Sequence, residues 1–274
     1  IDFVKKNNIE FVPLLLNLDG ENIEDDLGKS LGYREFYDKL REGSMPSTSQ
    51  INIYTFEEKF RELLNEGYEI LYLGLSSALS GTFNSANMAR NNILEENPNA
   101  KISVVDSLSV SMGVGMLVKK SCDMIEEGKD LEYITTWIEE NKNKVIHSIL
   151  VDDLKHLKRG GRISASTAAV GSLLNIKPIL KIDNNGAVEA TEKIKGKKKA
   201  LKYLATVVKE KALNIESETL YIMHGDALEE AQALKDIILQ ELNFKEIKIQ
   251  YIGTVIGSHG GPGTIATIFW GNER

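Results

Sequence analysis

The sequence has few of the features that mark secreted, membrane-spanning or nucleic-acid-binding proteins. It contains one cysteine, Cys122, among 274 residues, which excludes an intrachain disulfide framework and predicts a reducing, cytoplasmic location. No apolar stretch approaches the ~20 residues that span a bilayer, and no signal peptide is recognisable. Acidic side chains outnumber basic ones, 40 to 33, which argues against a general nucleic-acid binder, because such domains are usually strongly basic.

The first half of the chain alternates between predicted strands and helices. Its apolar runs of strand length are residues 9–16, 69–74 and 101–106. Its stretches with helical periodicity are residues 33–42, 55–68, 84–96, 109–128 and 131–142. Thr55 and Glu58 have the spacing of a capping box, which predicts that the second of these helices begins at Thr55. The alternation as a whole predicts an N-terminal, mainly parallel, doubly wound α/β domain, whose ligands bind at the carboxyl ends of its strands.

The second half favours a different arrangement. Strands are predicted at residues 145–151, 177–182, 187–194, 219–225, 247–253 and 264–270. Helices are predicted at residues 197–213 and 226–242. The hairpin signal "DNNG" (183–186) joins two of the strands. We therefore expect a smaller C-terminal α+β domain with a mostly antiparallel sheet, and we divide the chain into domains 1–147 and 148–274.

Five clusters of small polar residues stand at the ends of these predicted elements. Serine, threonine, aspartate and glycine favour turns and helix caps in any protein, so one cluster alone indicates no site. Five in one chain predict loops that converge on a binding cleft. They are "MPSTSQ" (45–50), "SSALSGT" (76–82), "DSLSVSMGVG" (106–115), "KRGGRIS" (158–164) and "GSHGGPG" (257–263).

Ser80 and His259 leave an enzymatic alternative open. A serine hydrolase needs a serine activated by a histidine that a carboxylate orients, and these two residues would supply the first two members in a hydrolase of acyl esters. The loop "LSSALSG" lacks the G-x-S-x-G elbow, and no third member is evident. The other histidines have no metal-ligand spacing, so no metal site is expected. Neither a complete dinucleotide fingerprint nor a P-loop is present.

Two groups of basic residues stand out in the acidic chain. One is "KIKGKKKA" (193–200), where Lys197, Lys198 and Lys199 have the pattern of a solvated helix face. In the other, "KHLKRGGR" (155–162), two glycines precede Arg162 and let the backbone pass closely while one guanidinium points out. A planar, permanently charged guanidinium suits contact with a phosphate or carboxylate at a protein surface.

The order of these clusters resembles that of the DegV family, which includes the fatty-acid-binding subunit of bacterial fatty acid kinase. The resemblance runs across nearly the whole chain. The matching segments are "PSTSQ", "LGLSSALSGTFNSA", "VVDSLSVSMGVG", "LKHLKRGGRIS", "NIKPILKIDNNGAVEATEKIKGKKKA" and "IGTVIGSHGGPGTIATIFW".

The resemblance implies a carrier without turnover of its own. Such a protein binds a long-chain fatty acid in an apolar tunnel, needs no cofactor, and presents the carboxylate to a separate ATP-dependent kinase that makes an acyl phosphate for phospholipid synthesis. By resemblance, Thr48, Ser80 and His259 hold the carboxylate, with the Gly81 backbone alongside. Arg162 and Lys195 are expected to face the kinase. Transient contact with a membrane surface fits a lipid carrier of this kind.

Three departures from the family pattern bear on these expectations. The family usually opens with a strand that ends in an aspartate–serine pair, and the given sequence starts after it. Proline often follows T-S-Q, but Ile51 stands there in this chain. The family usually has arginine at the position of Lys195, so the charge is kept here but the bidentate fork is lost. We also expect the head group to need no lysine, and His259 to favour the anion most when protonated.

Overall fold

The structure is a computed structural model that describes residues 1–163 and 175–274. Its strands form three sheets, and the two smaller ones come from the N-terminal half. The first is antiparallel, with the order β2-β1-β3, and contains β1 (Leu15–Leu18), β2 (Glu21–Glu24) and β3 (Ser47–Ser49). The second is parallel and contains β4 (Ile70–Gly74) and β5 (Ile102–Asp106).

The third sheet is mixed and has six strands in the order β10-β9-β11-β6-β7-β8. These strands are β6 (Val145–Leu150), β7 (Ile176–Ile182), β8 (Val188–Lys195), β9 (Thr219–His224), β10 (Glu246–Tyr251) and β11 (Ile265–Trp270). Only the pair β9–β10 is parallel, so the expected mostly antiparallel sheet is confirmed. Asp183 closes the predicted β7–β8 hairpin, because its carboxylate accepts hydrogen bonds from the backbone N–H groups of Asn185 and Ala187.

Helices surround the sheets in an α/β arrangement. In the N-terminal half they are α1 (Asp2–Lys6), α2 (Tyr33–Glu42), α3 (Ile53–Asn65), α4 (Thr82–Glu96), α5 (Met112–Glu126) and α6 (Leu131–Asn141). The later helices of the described residues are α7 (Lys155–Arg159), α8 (Lys197–Lys211), α9 (Leu228–Leu239) and α10 (Thr254–Gly260). Across 1–163 and 175–274, none of these helices has the length and apolar character that crossing a bilayer requires.

The six-stranded sheet buries both of its faces, and strand alternation assigns each side chain to one of them. Ile146, Leu150 and Phe269 point to the face that α8 and α9 cover. Val145 and Ile268 point to the opposite face, where they pack with side chains of α5 and α6. This second core therefore joins the N-terminal helices to the C-terminal sheet.

Several boundaries differ from the sequence predictions. The strand expected at 9–16 begins only at Leu15. Helix α3 starts earlier than expected, because Asn52 rather than Thr55 is the cap, and its side chain accepts a hydrogen bond from the Thr55 N–H at 2.9 Å. Residue 147 lies inside β6, and the division of the chain at that point stays a prediction. Ser164, at the end of the "KRGGRIS" cluster, lies outside the described residues.

Candidate functional site

A cavity lies between the second face of the six-stranded sheet and the loops of the N-terminal half. Its empty volume is about 980 Å³, a figure that includes space open to solvent. Most of its walls are aliphatic. The sheet contributes Ile149, Leu180, Ile182, Val188, Met223, Ala266 and Ile268. The arrangement suits a long apolar ligand.

One end of the cavity is polar. Thr48, on β3, and His259, on α10, both line it, and the Thr48 hydroxyl lies 3.0 Å from Nε2 of His259. The other imidazole nitrogen, Nδ1, is buried and has no hydrogen-bond partner among residues 1–163 and 175–274. Gly160 lies against this ring, since a Cβ there would stand 2.1 Å from Nδ1. The first glycine of the "GGR" segment thus allows the histidine to sit where it does.

Ser80 reaches the same end of the cavity from the loop between β4 and α4. Its hydroxyl donates a hydrogen bond to the Thr82 hydroxyl at 2.9 Å, and the Thr82 N–H donates back to it at 3.3 Å. Gly81 is the N-cap of α4 and lies against the side chain of Gln50, whose Oε1 would be 2.0 Å from a Cβ at that position. Any larger residue at position 81 would therefore have to displace the end of the Gln50 side chain.

The rest of the hydroxyl loop holds Ser80 in place. Ser76 is fully buried, and its hydroxyl donates to the carbonyl of Gly186, in the β7–β8 hairpin, at 2.8 Å. The Ser77 N–H donates to the Asp106 carboxylate, at 3.2 Å to each oxygen. These two serines therefore have partners within the protein that hold the loop in place.

Arg162 also lines the polar end. Its Nε donates to the carbonyl of Leu79 at 3.0 Å, and its Nη1 donates to the carbonyl of Gly160. The guanidinium is thus fixed between the hydroxyl loop and the glycines beside His259. The sequence analysis expected no lysine at this end, and the cation that the structure places there is an arginine. The role of Arg162 in contact with a kinase stays a prediction.

The electrostatics of this end leave His259 neutral at pH 7. Burial lowers its pKa to about 4, and the positive charges of Arg162 and Arg159 act in the same direction. The sequence analysis expected the protonated ring to favour an anion. In the structure, the formal positive charge at this end belongs to Arg162, and the neutral imidazole offers a hydrogen bond.

An acidic side chain from the N-terminal half positions α10. Asp25 accepts a hydrogen bond from the Val255 N–H at 3.0 Å, in the first turn of the helix that carries His259. Burial raises the pKa of Asp25. The Tyr37 hydroxyl donates to the carbonyl of Ile252, just before this helix, at 2.9 Å. The sequence analysis expected a glycine-rich loop around His259, but the segment Thr254–Gly260 is a helix because these contacts hold its first turn.

Two further polar residues line the cavity. His147, on β6, lines the cavity together with Ser111, which precedes α5. Only 2% of His147 is exposed, and burial lowers its pKa to about 3. Its Nε2 lies 3.3 Å from the carbonyl of Val110. The sequence analysis set His147 aside for lack of metal-ligand spacing.

Lys195 lies away from these residues. It is exposed at the end of β8 and is not part of the cavity wall. Nearby Lys197 has ion pairs with Asp152 at 3.7 Å and with Glu230 at 2.8 Å. A role for Lys195 in partner contact stays a prediction.

The geometry lacks the contacts of a hydrolytic triad. The Ser80 hydroxyl pairs with Thr82, while His259 pairs with Thr48. Within the described part of the chain no carboxylate accepts a hydrogen bond from Nδ1 of His259. The same residues contain no group of three or more His, Cys, Asp or Glu side chains that could hold a metal ion.

Comparison with known proteins gives the family. The family model described as "Uncharacterised protein, DegV family" matches residues 1–271. This chain belongs to the DegV family. A DegV domain-containing protein from Clostridium perfringens is 45% identical to it over 271 residues, which are 99% of this chain and 93% of that protein.

Solved structures of other DegV proteins have the same fold. A DegV family protein from Thermus thermophilus, described as fatty acid binding, matches with a TM-score of 0.87 and 32% identity over 99% of this chain and 95% of that one. A DegV family protein from Eubacterium eligens, loaded with heptadecanoic acid, matches with a TM-score of 0.81 and 27% identity over 95% of this chain and 92% of that one. The α/β fold expected from the sequence is confirmed.

In this DegV protein the structure brings Thr48, Ser80 and His259 to one end of a single cavity, with Gly81 at its edge. Sequence reasoning did not assign three of the residues that line the cavity to a ligand site. Gln50 was quoted within "MPSTSQ" without a role, and Arg162 was expected to point outward. His147 had a usable signal, because it alternates with Ile149 and Val151 along a predicted strand, which places all three on one face.

Proposed function

We propose that this DegV protein binds a long-chain fatty acid, with the acyl chain in the cavity and the carboxylate at Thr48, Ser80, Gly81 and His259. The observation that carries the proposal is one aliphatic cavity that ends in hydroxyl groups, a neutral imidazole and a single guanidinium. The binding of fatty acids by DegV proteins of the same fold supports it.

In this proposal the affinity comes from burial of the acyl chain against the aliphatic walls. Burial of about 14 methylenes at ~0.8 kcal/mol each contributes roughly 11 kcal/mol, against an association cost of about 4–15 kcal/mol. The difference between this gain and this cost is small, so transfer of the head group from water into the cavity must not add a large free-energy penalty. A buried carboxylate is costly without partners. The Thr48 and Ser80 hydroxyls and Arg162 offer donors to it.

The first test is the identity of the bound molecule. Purified protein is extracted with organic solvent and analysed by mass spectrometry, and we expect a long-chain acid in about 1:1 ratio to the chain. The doubly substituted variant Thr48→Val/Ser80→Ala should carry much less of it with an unchanged circular dichroism spectrum. A folded wild-type protein that is empty and takes up no C14–C20 acid contradicts the proposal.

We further propose that the bound acid is presented to a separate ATP-dependent kinase in the cytoplasm, and that the protein has no turnover itself. Transient contact with a membrane surface would load or unload the acid. The exposed position of Lys195 supports a docking role for that residue. The test is acyl phosphate formation by a fatty acid kinase with this protein as the limiting component. Hydrolysis of p-nitrophenyl esters that disappears in Ser80→Ala would instead favour the hydrolase.

A further inference from the structure

A single carboxylate joins the two elements that carry Thr48 and His259. Asp25 directly follows β2, and its N–H donates to the carbonyl of Leu14 at 2.8 Å. It therefore extends the sheet in which β3 carries Thr48. Its side chain accepts a hydrogen bond from the Val255 N–H at 3.0 Å, in the first turn of α10, and α10 carries His259. The sheet and the helix thus meet at Asp25 as well as at Thr48 and His259.

These two contacts hold one face of α10 at points one turn apart. Val255 and His259 are spaced i, i+4, which places them on the same face with a separation of ~6 Å along the helix axis. Asp25 contacts the first turn and Thr48 the last, each at 3.0 Å. A helix of seven residues has little stability of its own. Loss of the Asp25 contact would therefore let the imidazole move relative to Thr48.

The charge of Asp25 is kept in an unfavourable environment. Burial raises the pKa of its carboxyl group and the neighbouring Asp26 acts in the same direction, whereas the hydrogen bond from Val255 opposes them. Within residues 1–163 and 175–274, no cation is among the groups that shift this pKa. Gly253 makes room for the carboxylate, because a Cβ there would stand 3.2 Å from Oδ2. Perturbed carboxylates of this kind are concentrated at functional sites.

We propose that Asp25 is a positioning residue of the head-group site: it holds α10 so that His259 meets the carboxylate, and it thereby sets the preference for a fatty acid over a neutral lipid with the same chain. The inference rests on the proposed function, since it takes His259 as a partner of the carboxylate. A buried carboxylate needs several donors, whereas a neutral hydroxyl group needs one partner. Displacement of His259 therefore weakens the binding of the acid more than that of the alcohol.

The experiment is a competition between two lipids that share a chain and differ in the head group. Delipidated protein is mixed with equal, saturating amounts of octadecanoic acid and octadecanol, and the bound lipids are extracted and quantified by mass spectrometry. In Asp25→Ala, the ratio of bound acid to bound alcohol should fall about tenfold, the effect of losing one hydrogen bond to a charged group. The matched control Asp26→Ala removes the neighbouring carboxylate, which accepts hydrogen bonds from Lys29 and Ser30, and should keep the wild-type ratio.

Further variants test whether Asp25 acts through His259. His259→Ala should itself lower the ratio, and Asp25→Ala added to it should lower the ratio no further, because the group to be positioned is already absent. In Asp25→Ala alone, the pKa of His259, followed by NMR, should rise from about 4, because the ring becomes less buried. A role in stability alone would leave both the ratio and this pKa at their wild-type values. If Asp25→Ala fails to fold, Asp25→Asn keeps the size, loses the charge and should change the ratio in the same direction.

The outcomes also separate this inference from the proposed function. A wild-type ratio in Asp25→Ala, or in Asp25→Asn where that variant takes its place, overturns the inference alone. Additive losses in the double variant with His259→Ala do the same. A wild-type protein that binds neither lipid, or that shows no preference for the acid, overturns the proposed function and the inference with it.

Discussion

The His259→Gln substitution should weaken the dependence of this protein's stability on pH. In the folded, ligand-free protein the pKa of His259 is lowered from 6.5 to about 4, chiefly by burial. The unfolded chain therefore takes up a proton first as the pH falls below 6.5, and the free energy of unfolding decreases. At pH 5 the decrease is about 2 kcal/mol, from a constant of ~1.4 kcal/mol per pH unit. Glutamine takes up no proton, so this contribution disappears in the variant.

The assay is unfolding by urea at pH 7 and at pH 5, with delipidated protein. Trp137 and Trp270, whose rings lie 5.9 Å apart in an edge-on pair, report the transition by fluorescence. Other groups titrate in the same range, but they contribute equally to both proteins and cancel in the difference. The free energy of unfolding should fall by about 2 kcal/mol less in His259→Gln than in the wild-type protein. The matched control Thr48→Val removes the hydroxyl beside His259 without removing a titratable group, and should keep the wild-type dependence. Equal pH dependence in His259→Gln and the wild-type protein would refute the assignment of a neutral, buried His259.

Three further predictions concern the polar end of the cavity and the exposed lysine. Arg162→Ala should raise the pKa of His259, measured by NMR, and lower the affinity for octadecanoic acid about tenfold. Unchanged affinity would mean that Arg162 does not bind the carboxylate, and only the predicted kinase-facing role would remain for it. Lys195→Ala should leave that affinity unchanged and reduce kinase-dependent acyl phosphate formation, and Lys198→Ala, at a neighbouring exposed lysine, is the control. Equal rates of acyl phosphate formation in the two variants would mean that Lys195 does not contact the kinase. Gly81→Ala should displace the Gln50 side chain and lower the affinity for the acid, measured by calorimetry; wild-type affinity would mean that the loop adjusts without moving Ser80.

Local patterns in the sequence predict most of the helices and strands. Helix α2 has the predicted bounds, Tyr33–Glu42, because its apolar side chains recur at the helical period. Strand β4 starts one residue after the predicted 69. The hairpin at "DNNG" forms because an aspartate side chain closes its own turn. In each case the cause lies within a few residues of the element.

The sequence patterns fail where the cause is far away along the chain. Helix α10 contains two glycines among seven residues and does not look helical by propensity, but Asp25 caps it from 230 residues away. Arg162 looks like a surface residue, since nothing near it reveals that its acceptors include Leu79, 83 residues earlier. The orientation of His147 follows from strand alternation, but its contact with the Val110 carbonyl depends on packing that no local pattern records.

The contact between Thr48 and His259 joins residues that are 211 positions apart. The head-group site therefore does not exist in any N-terminal fragment that ends before His259, and during synthesis it assembles only after that residue has left the ribosome. Bringing the two ends of so long a segment together costs conformational entropy before the contacts between them form and offset that cost. A chain that ends before His259 lacks one of the groups proposed to bind the carboxylate. The proposed selectivity of the cavity is thus a property of the folded molecule and of no shorter part of it.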